Sequence, residues 1–417
     1  MTRDKHQAES RAKDVIATFY DRHPYPPPRI SLDADQEQWR EPDRRRAEYH
    51  LLFPRLPFRE DLDVLIAGCG TSQAARQALR WPDSRVVGID VSETSLRHTR
   101  DLKRRYNLDN LEVHQLPIER VGELGRRFDL IVCTGVLHHL ADPDTGLLAL
   151  REALRPDGAL HLMVYARYGR HGITLFQEYS ARLGIGTSER DVRDLAHTLA
   201  EIPPDHPLVP LLRHSPDFQR TDALADALLN PRERSYSVPE LFAFLDRSRV
   251  SFGRWYRQAP YLPQCGSPST TPHAPLLRVL PSREQSAAVE LFRGSMTRHT
   301  LIAHTDDGGP VIDRAGLHGN GWQDVVPIRL PHTISVEERL PPGAAAVLIN
   351  QAHAYPDLIL PISEPEKLMF DAIDGRRTIG QIATEIGRLG PGLANARLLF
   401  ERLWWYDQVV FDASMVT

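Results

Sequence analysis

The sequence predicts an α/β fold, a doubly wound and mostly parallel sheet with a helical insertion, followed by a small α+β unit. Three observations carry that expectation. Apolar runs of strand length alternate with helix-period segments from Asp61 to Ala166, the first run ends in two glycines one residue apart, and the composition shifts after Thr305. Alternation of this kind builds βαβ units. At 417 residues the chain is too long for one ordinary core, so at least two domains are expected.

The stretch DLDVLIAGCGTSQ (61–73) reads as a strand, a glycine turn and the start of a helix. Lacking Cβ, Gly68 and Gly70 let a ligand approach bare backbone, although a tight turn with no ligand reads the same way. The dinucleotide fingerprint G-x-G-x-x-G is not met, because Thr71, Ser72, Gln73 and Ala74 follow Gly70. SRVVGIDVS (84–92) is a second strand ending in Asp90, and ETSLRHTRDLKRRYN after it has helical spacing. LEVHQL (111–116) and FDLIVCTGVLHHL (128–140) supply the third and fourth strands. LLALREALRPDGALHLMVYA (147–166) gives a helix, a Pro-Asp-Gly turn and a fifth strand. In such a sheet the ligand lies at the carboxyl ends of the strands. Those ends carry Gly68, Gly70, Asp90, Gln115 and Thr134 to His139. An acidic residue about twenty positions after the glycines suits a ribose diol, since a carboxylate accepts from both hydroxyls. The alternative is that Asp90 caps the next helix, where Ser92 is the better candidate. A ribose without a pyrophosphate points to an adenosyl ligand.

Composition excludes other classes. Lys+Arg 51 against Asp+Glu 55 gives a formal charge of −4, with no global attraction to nucleic acid or an anionic membrane. The basic runs DRRRAEYH (43–50) and DLKRRYNL (101–108) read as solvated helix faces. Cys69, Cys133 and Cys265 show neither a disulfide framework nor a metal spacing, which suits a reducing cytoplasm. No segment offers about 18 uninterrupted apolar residues, and the polar N-terminus has no apolar leader core. A soluble, cytoplasmic protein without membrane, nucleic-acid or metal partners is expected.

With these motifs in order, the chain resembles the class I S-adenosylmethionine-dependent methyltransferases. VLIAGCGTS, VVGIDVS, FDLIVCTGVLHHL and LREALRPDGALHLMVYA match the family's motifs across 61–166, while FYDRHPYPPP (19–28) and RERSYSVPELFAFLDRSRVSFGRW (232–255) resemble the entry and insertion of a bacterial subset. The resemblance implies a Rossmann-like methyltransferase sheet, S-adenosyl-L-methionine as cofactor, and a cofactor site at Ala67, Gly68, Cys69, Gly70, Gln73, Asp90, Val91, Gln115, Leu116 and Thr134, with Tyr20 and Tyr25 as a lid. Three positions depart from the pattern: Ile66 stands where an acidic residue is common, Ser72 where Gly is usual, and Pro117 where an Asp often meets adenine. Carbonyls of Ala67 or Thr134 and groups around Gln115 to Ile118 are the substitutes. His138 and His139 follow the fourth strand, near the expected methyl group. Either is a candidate base, or one packs on the cofactor while the other faces solvent. His23, Tyr165, Tyr168, Arg170 and His171 are the candidate acceptor-binding residues, with the charged turn at 168–171 alternatively plain surface.

The domain expectation is therefore a methyltransferase domain over 1–306 (lid 1–60, core 61–166, helical insertion 167–296), a Gly- and Asp-rich linker over 307–327, and a C-terminal unit over 328–417. TRHTLIAHT (297–305) reads as a returning strand closing the sheet's edge. EPEKLMFDAIDGRRTIGQIATEIG and LANARLLFERLWWYDQ give three helices, and VVFDAS a last strand, which together resemble a winged helix. Trp404, Trp405 and Tyr406 read as core or interface. The acceptor is expected to be a small metabolite or natural product. A peptide or protein held by the C-terminal unit, and a non-catalytic adenosyl-binding protein, are the alternatives, and the C-terminal unit also suits homodimerisation.

Overall fold

The structure, a computed structural model, describes residues 15–214, 218, 220–305, 320–387 and 393–416. Seven strands make the central sheet: β1 Asp63–Ala67, β2 Arg85–Asp90, β3 Leu111–Gln115, β4 Phe128–Thr134, β5 Leu154–Tyr165, β6 Val250–Trp255 and β7 Arg298–Thr305. Their order is β3-β2-β1-β4-β5-β7-β6. The first five run parallel, and β7 enters antiparallel between β5 and β6. The strands are apolar at successive positions because helices cover both faces. Val64, Ile66, Val86, Leu130 and Val132 feed the core on one face. Leu65, Ala67, Val87, Ile131 and Cys133 feed the core on the other, as the two-residue period of a strand requires. The chain order reverses between β1 and β4, which opens a crevice above their carboxyl ends.

Two expectations are corrected here. The returning strand does not close the sheet: β6, from the stretch expected to be helical, pairs with its outer side at Phe252 to Ala303 and Trp255 to Leu301. Phe252 and Trp255 pack with Phe242 at ring separations of 5.0–5.9 Å, so an aromatic cluster between this strand and the preceding helix Val238–Arg247 covers the edge. The rest of the insertion is helical, over His171–Arg182, Glu189–Ala200, Val209–His214 and Thr221–Leu229. These helices share an apolar cluster with Phe19 of the helix over 15–22, which holds the N-terminal segment against the insertion.

The C-terminal unit also departs from its expected form. Its last strand is one of five: β8 Val326–Arg329, β9 Thr333–Val336, β10 Ala346–Asn350, β11 Ile359–Ile362 and β12 Val409–Asp412. β9, β10 and β11 form one small sheet, and β8 pairs with β12. Of the expected linker, 307–319 lies outside the described residues. Trp322 and Val325 already belong to the C-terminal core with Phe400 and Leu403.

The C-terminal unit is built into the main body. Ile328 and Val410 join the core beneath the central sheet, the Ala413 N–H donates to the Pro54 carbonyl at 2.7 Å, and Arg46 pairs with Asp412 at 3.0 Å. Trp405 and Tyr406 pack on a cluster with Ala259 and Cys265. Among the described residues no helix is long and apolar enough to cross a membrane.

Candidate active site

One cavity of about 440 Å³ opens over the carboxyl ends of β1, β2 and β4. Its sheet-side wall is the glycine turn (Gly68, Cys69, Gly70) with Asp90, Val91, Leu116 and Thr134. Gly68 and Gly70 sit at φ +71° and +55°, a left-handed backbone that other residues rarely adopt. A Cβ on Gly68 would stand 2.4 Å from Val136 Cγ2. Gly68→Ala is therefore expected to cost about 1–3 kcal/mol of stability from backbone strain, which a urea unfolding curve would measure.

Asp90 holds this turn. Its Oδ2 accepts from the Gly70 N–H at 2.8 Å and its Oδ1 from the Ser92 N–H at 2.9 Å. Burial raises its pKa, although the same backbone N–H groups oppose the shift. Each oxygen keeps a further lone pair that can face the cavity. Ser92 is the helix cap, accepting from the Ser95 N–H, so the ribose-type role and the capping role fall on different residues. Gln73 Nε2 donates to Thr134 Oγ1 at 2.7 Å, tying the helix Gln73–Arg80 to the end of β4.

The opposite wall comes from the N-terminal segment and the insertion. Tyr20 and Tyr25 line it, and the Thr71 hydroxyl donates to the Pro26 carbonyl at 2.7 Å, which fastens this segment across the glycine turn. Tyr165, Arg170 and His139 line the same cavity. The His139 Nδ1 lies 2.7 Å from the Arg232 carbonyl. A carbonyl only accepts, so Nδ1 is the donor in this contact, and Nε2 is the ring nitrogen left to exchange a proton. Arg170 lies over the Tyr165 ring at 3.6 Å and pairs with Glu233 at 2.8 Å.

Six residues expected at the site are elsewhere. His138 is fully buried behind the wall, between His139 and Tyr165 at ring separations of 4.2 and 4.0 Å. Burial drives its pKa well below the usual histidine value, so it stays neutral and out of reach of a ligand in the cavity. Ala67 is enclosed within β1, and the Gln115 amide donates to the Val91 carbonyl at 3.1 Å away from the cavity wall. His23 meets the Thr187 carbonyl at 2.8 Å, joining the N-terminal segment to the insertion. Tyr168 and His171 face outward, because the turn that carries them runs along the surface.

Sequence reasoning missed Asp226, Arg232, Met163 and Phe218, all on the cavity wall. Asp226 accepts from the Tyr20 hydroxyl at 2.9 Å and the Tyr165 hydroxyl at 3.4 Å. In DALADALLNP it reads as the polar face of an amphipathic helix, so no signal separated it from a solvated aspartate.

Comparison with known proteins agrees with this geometry. A family described as a methyltransferase domain matches residues 65–160. An uncharacterized protein of Synechococcus sp. is 32% identical over 247 residues, covering 57% of this chain and 58% of that protein. The malonyl-[acyl-carrier protein] O-methyltransferase of Acetivibrio thermocellus is 33% identical over 106 residues, covering 25% and 36%. The chain thus spans less than two thirds of these relatives' lengths. PKMT2 from Rickettsia typhi, solved in complex with AdoHcy, shares the fold at a TM-score of 0.63 and 16% identity, over 93% of this chain and 77% of that one. With the motif order, the strand order and the matched family in agreement, this chain carries a methyltransferase domain over residues 65–160.

Proposed function

We propose that the whole protein transfers a methyl group from S-adenosylmethionine to a small molecule, or to a small group on a larger one, seated between Tyr20, Tyr165 and His139. The observation that carries the reading is the continuity of the cavity, which runs from the glycine turn and Asp90 to Tyr20, His139, Tyr165 and, from the insertion, Asp226. The chain's own groups suit an adenosyl ligand: Gly68 and Gly70 put bare backbone on the cavity wall, and Asp90 offers two acceptor oxygens. When bound, the sulfonium cofactor supplies an activated methyl and its leaving group, so the protein's task is orientation and exclusion of water.

His139 is the residue placed to accept a proton from the acceptor. Its Nδ1–H is anchored on the Arg232 carbonyl, which leaves Nε2 as the only basic position of the ring. Tyr25 and Pro26, held by Thr71, close the cavity above the glycine turn.

Calorimetric titration with S-adenosylmethionine and S-adenosylhomocysteine tests the cofactor half, and binding of neither ligand would refute it. For the base, His139→Gln is expected to lower turnover by about 10²–10⁴-fold, the usual worth of a positioned acid or base. Affinity for S-adenosylhomocysteine should be retained. A His139→Gln protein at full rate would remove the base assignment.

A further inference from the structure

We propose that the acceptor is an alkylammonium, a primary amine on an apolar stem whose nitrogen is held by the carboxylate of Asp226. This rests on the methyl-transfer reading above and adds the acceptor's chemical class. Asp226 lies on the helix Thr221–Leu229, is 3% exposed and lines the cavity. Its oxygens accept from the Tyr20 hydroxyl at 2.9 Å, the Asn230 amide at 3.3 Å and the Tyr165 hydroxyl at 3.4 Å, all neutral donors. Among the described residues no cation forms an ion pair with it. Arg170, beside Tyr165, is taken by Glu233 in a pair whose charges cancel.

A buried carboxylate is costly unless an opposite charge offsets it. Burial and the Asp226 charge both push the Tyr20 and Tyr165 phenols up, so they remain neutral donors and bring no positive charge to the carboxylate. An ammonium brings the missing positive charge and three N–H donors. The walls next to this pole are apolar at Ile173, Leu211, Phe218 and Ala227, which suits a hydrocarbon stem.

The proton balance also closes. The ammonium gives one proton to His139 Nε2, whose ring is 6.2 Å from Tyr20 and 5.8 Å from Tyr165. The freed nitrogen lone pair then bonds the methyl carbon while the carbon–sulfur pair departs with sulfur, leaving a methylammonium, a neutral thioether and one proton for solvent.

Arg232 and Arg298 also reach the wall and define the opposing case, an anionic acceptor. The test titrates the S-adenosylhomocysteine-loaded chain with n-hexylammonium, 1-hexanol and hexanoate. Hexylammonium is expected to bind at least about tenfold tighter than the other two, a margin ordinary for a charge-assisted hydrogen bond. Asp226→Asn should abolish that preference while S-adenosylhomocysteine binds as before. If that variant does not fold, the wild-type ranking decides alone.

Equal or better binding of hexanol or hexanoate overturns the proposal, as does a preference that survives Asp226→Asn. So does a variant that loses affinity for S-adenosylmethionine but not for S-adenosylhomocysteine, since Asp226 would then be balancing the sulfonium. Failure of the wild-type chain to bind S-adenosylhomocysteine would instead defeat the methyl-transfer reading, and this proposal with it.

Discussion

Replacing Asp407 with alanine is expected to destabilise the whole protein by about 3–5 kcal/mol, the range seen when one partner of a buried ion pair is removed. Asp407 is 1% exposed and follows the last helix of the C-terminal unit. Its carboxylate accepts from Arg254 Nη2 of β6 at 3.1 Å, from the Ala259 N–H at 3.0 Å and from His353 Nε2 at 3.0 Å. Arg254 is itself buried, and that burial lowers its pKa despite the opposing charge of Asp407. Alanine would leave a buried guanidinium and a backbone N–H without their acceptor. Because the two sides of the contact come from the central sheet and the C-terminal unit, unfolding should begin by loosening one from the other. Urea unfolding monitored by tryptophan fluorescence measures the loss. A midpoint within error of wild type would show that the Asp407 contacts do not hold the two units together.

Replacing Asp90 with alanine is expected to remove adenosyl binding and to loosen the glycine turn together. Two hydrogen bonds from ribose hydroxyls to a charged acceptor are worth about 1.5–3 kcal/mol each, so affinity should fall by at least about 10²-fold. The Gly70 and Ser92 N–H groups would also lose their acceptor. Asp90→Asn separates the two effects, because the amide oxygen can still serve one backbone N–H while the charge is gone. Calorimetry on both variants, beside their unfolding midpoints, gives the answer. Unchanged affinity in Asp90→Ala would defeat the ribose assignment.

The parts of this protein that were legible in the sequence are those fixed by local chemistry. Apolar runs such as DVLIA and FDLIVCT had to be strands covered on both faces, and the glycines after the first run marked a sharp turn of the backbone at the strand end. Asp90 was readable because its spacing from the glycines is set by one βαβ unit. His139 and Tyr165 were readable because both sit at the ends of those same strands. His138 was inseparable from His139 in sequence, since adjacent residues share every local signal and differ only in which side of a turn they face.

The remaining features depend on contacts between distant segments. β6 looked like the end of a helical insertion because its pairing partner β7 lies more than forty residues later. The C-terminal unit looked separable because nothing in its helices announces that Ile328 and Val410 pack under the sheet. Asp226 carries no motif at all: it becomes a candidate ligand group only when Tyr20, 206 residues earlier, is laid against it. By itself, then, the sequence determined the five parallel strands, the glycine turn and the position of Asp90 after it, because strand period and turn chemistry act over a few residues. Only the tertiary structure decided which histidine meets the cavity, which buried carboxylate lines it and what joins the C-terminal unit to the sheet, because burial and charge balance are set by residues the chain brings together from far apart.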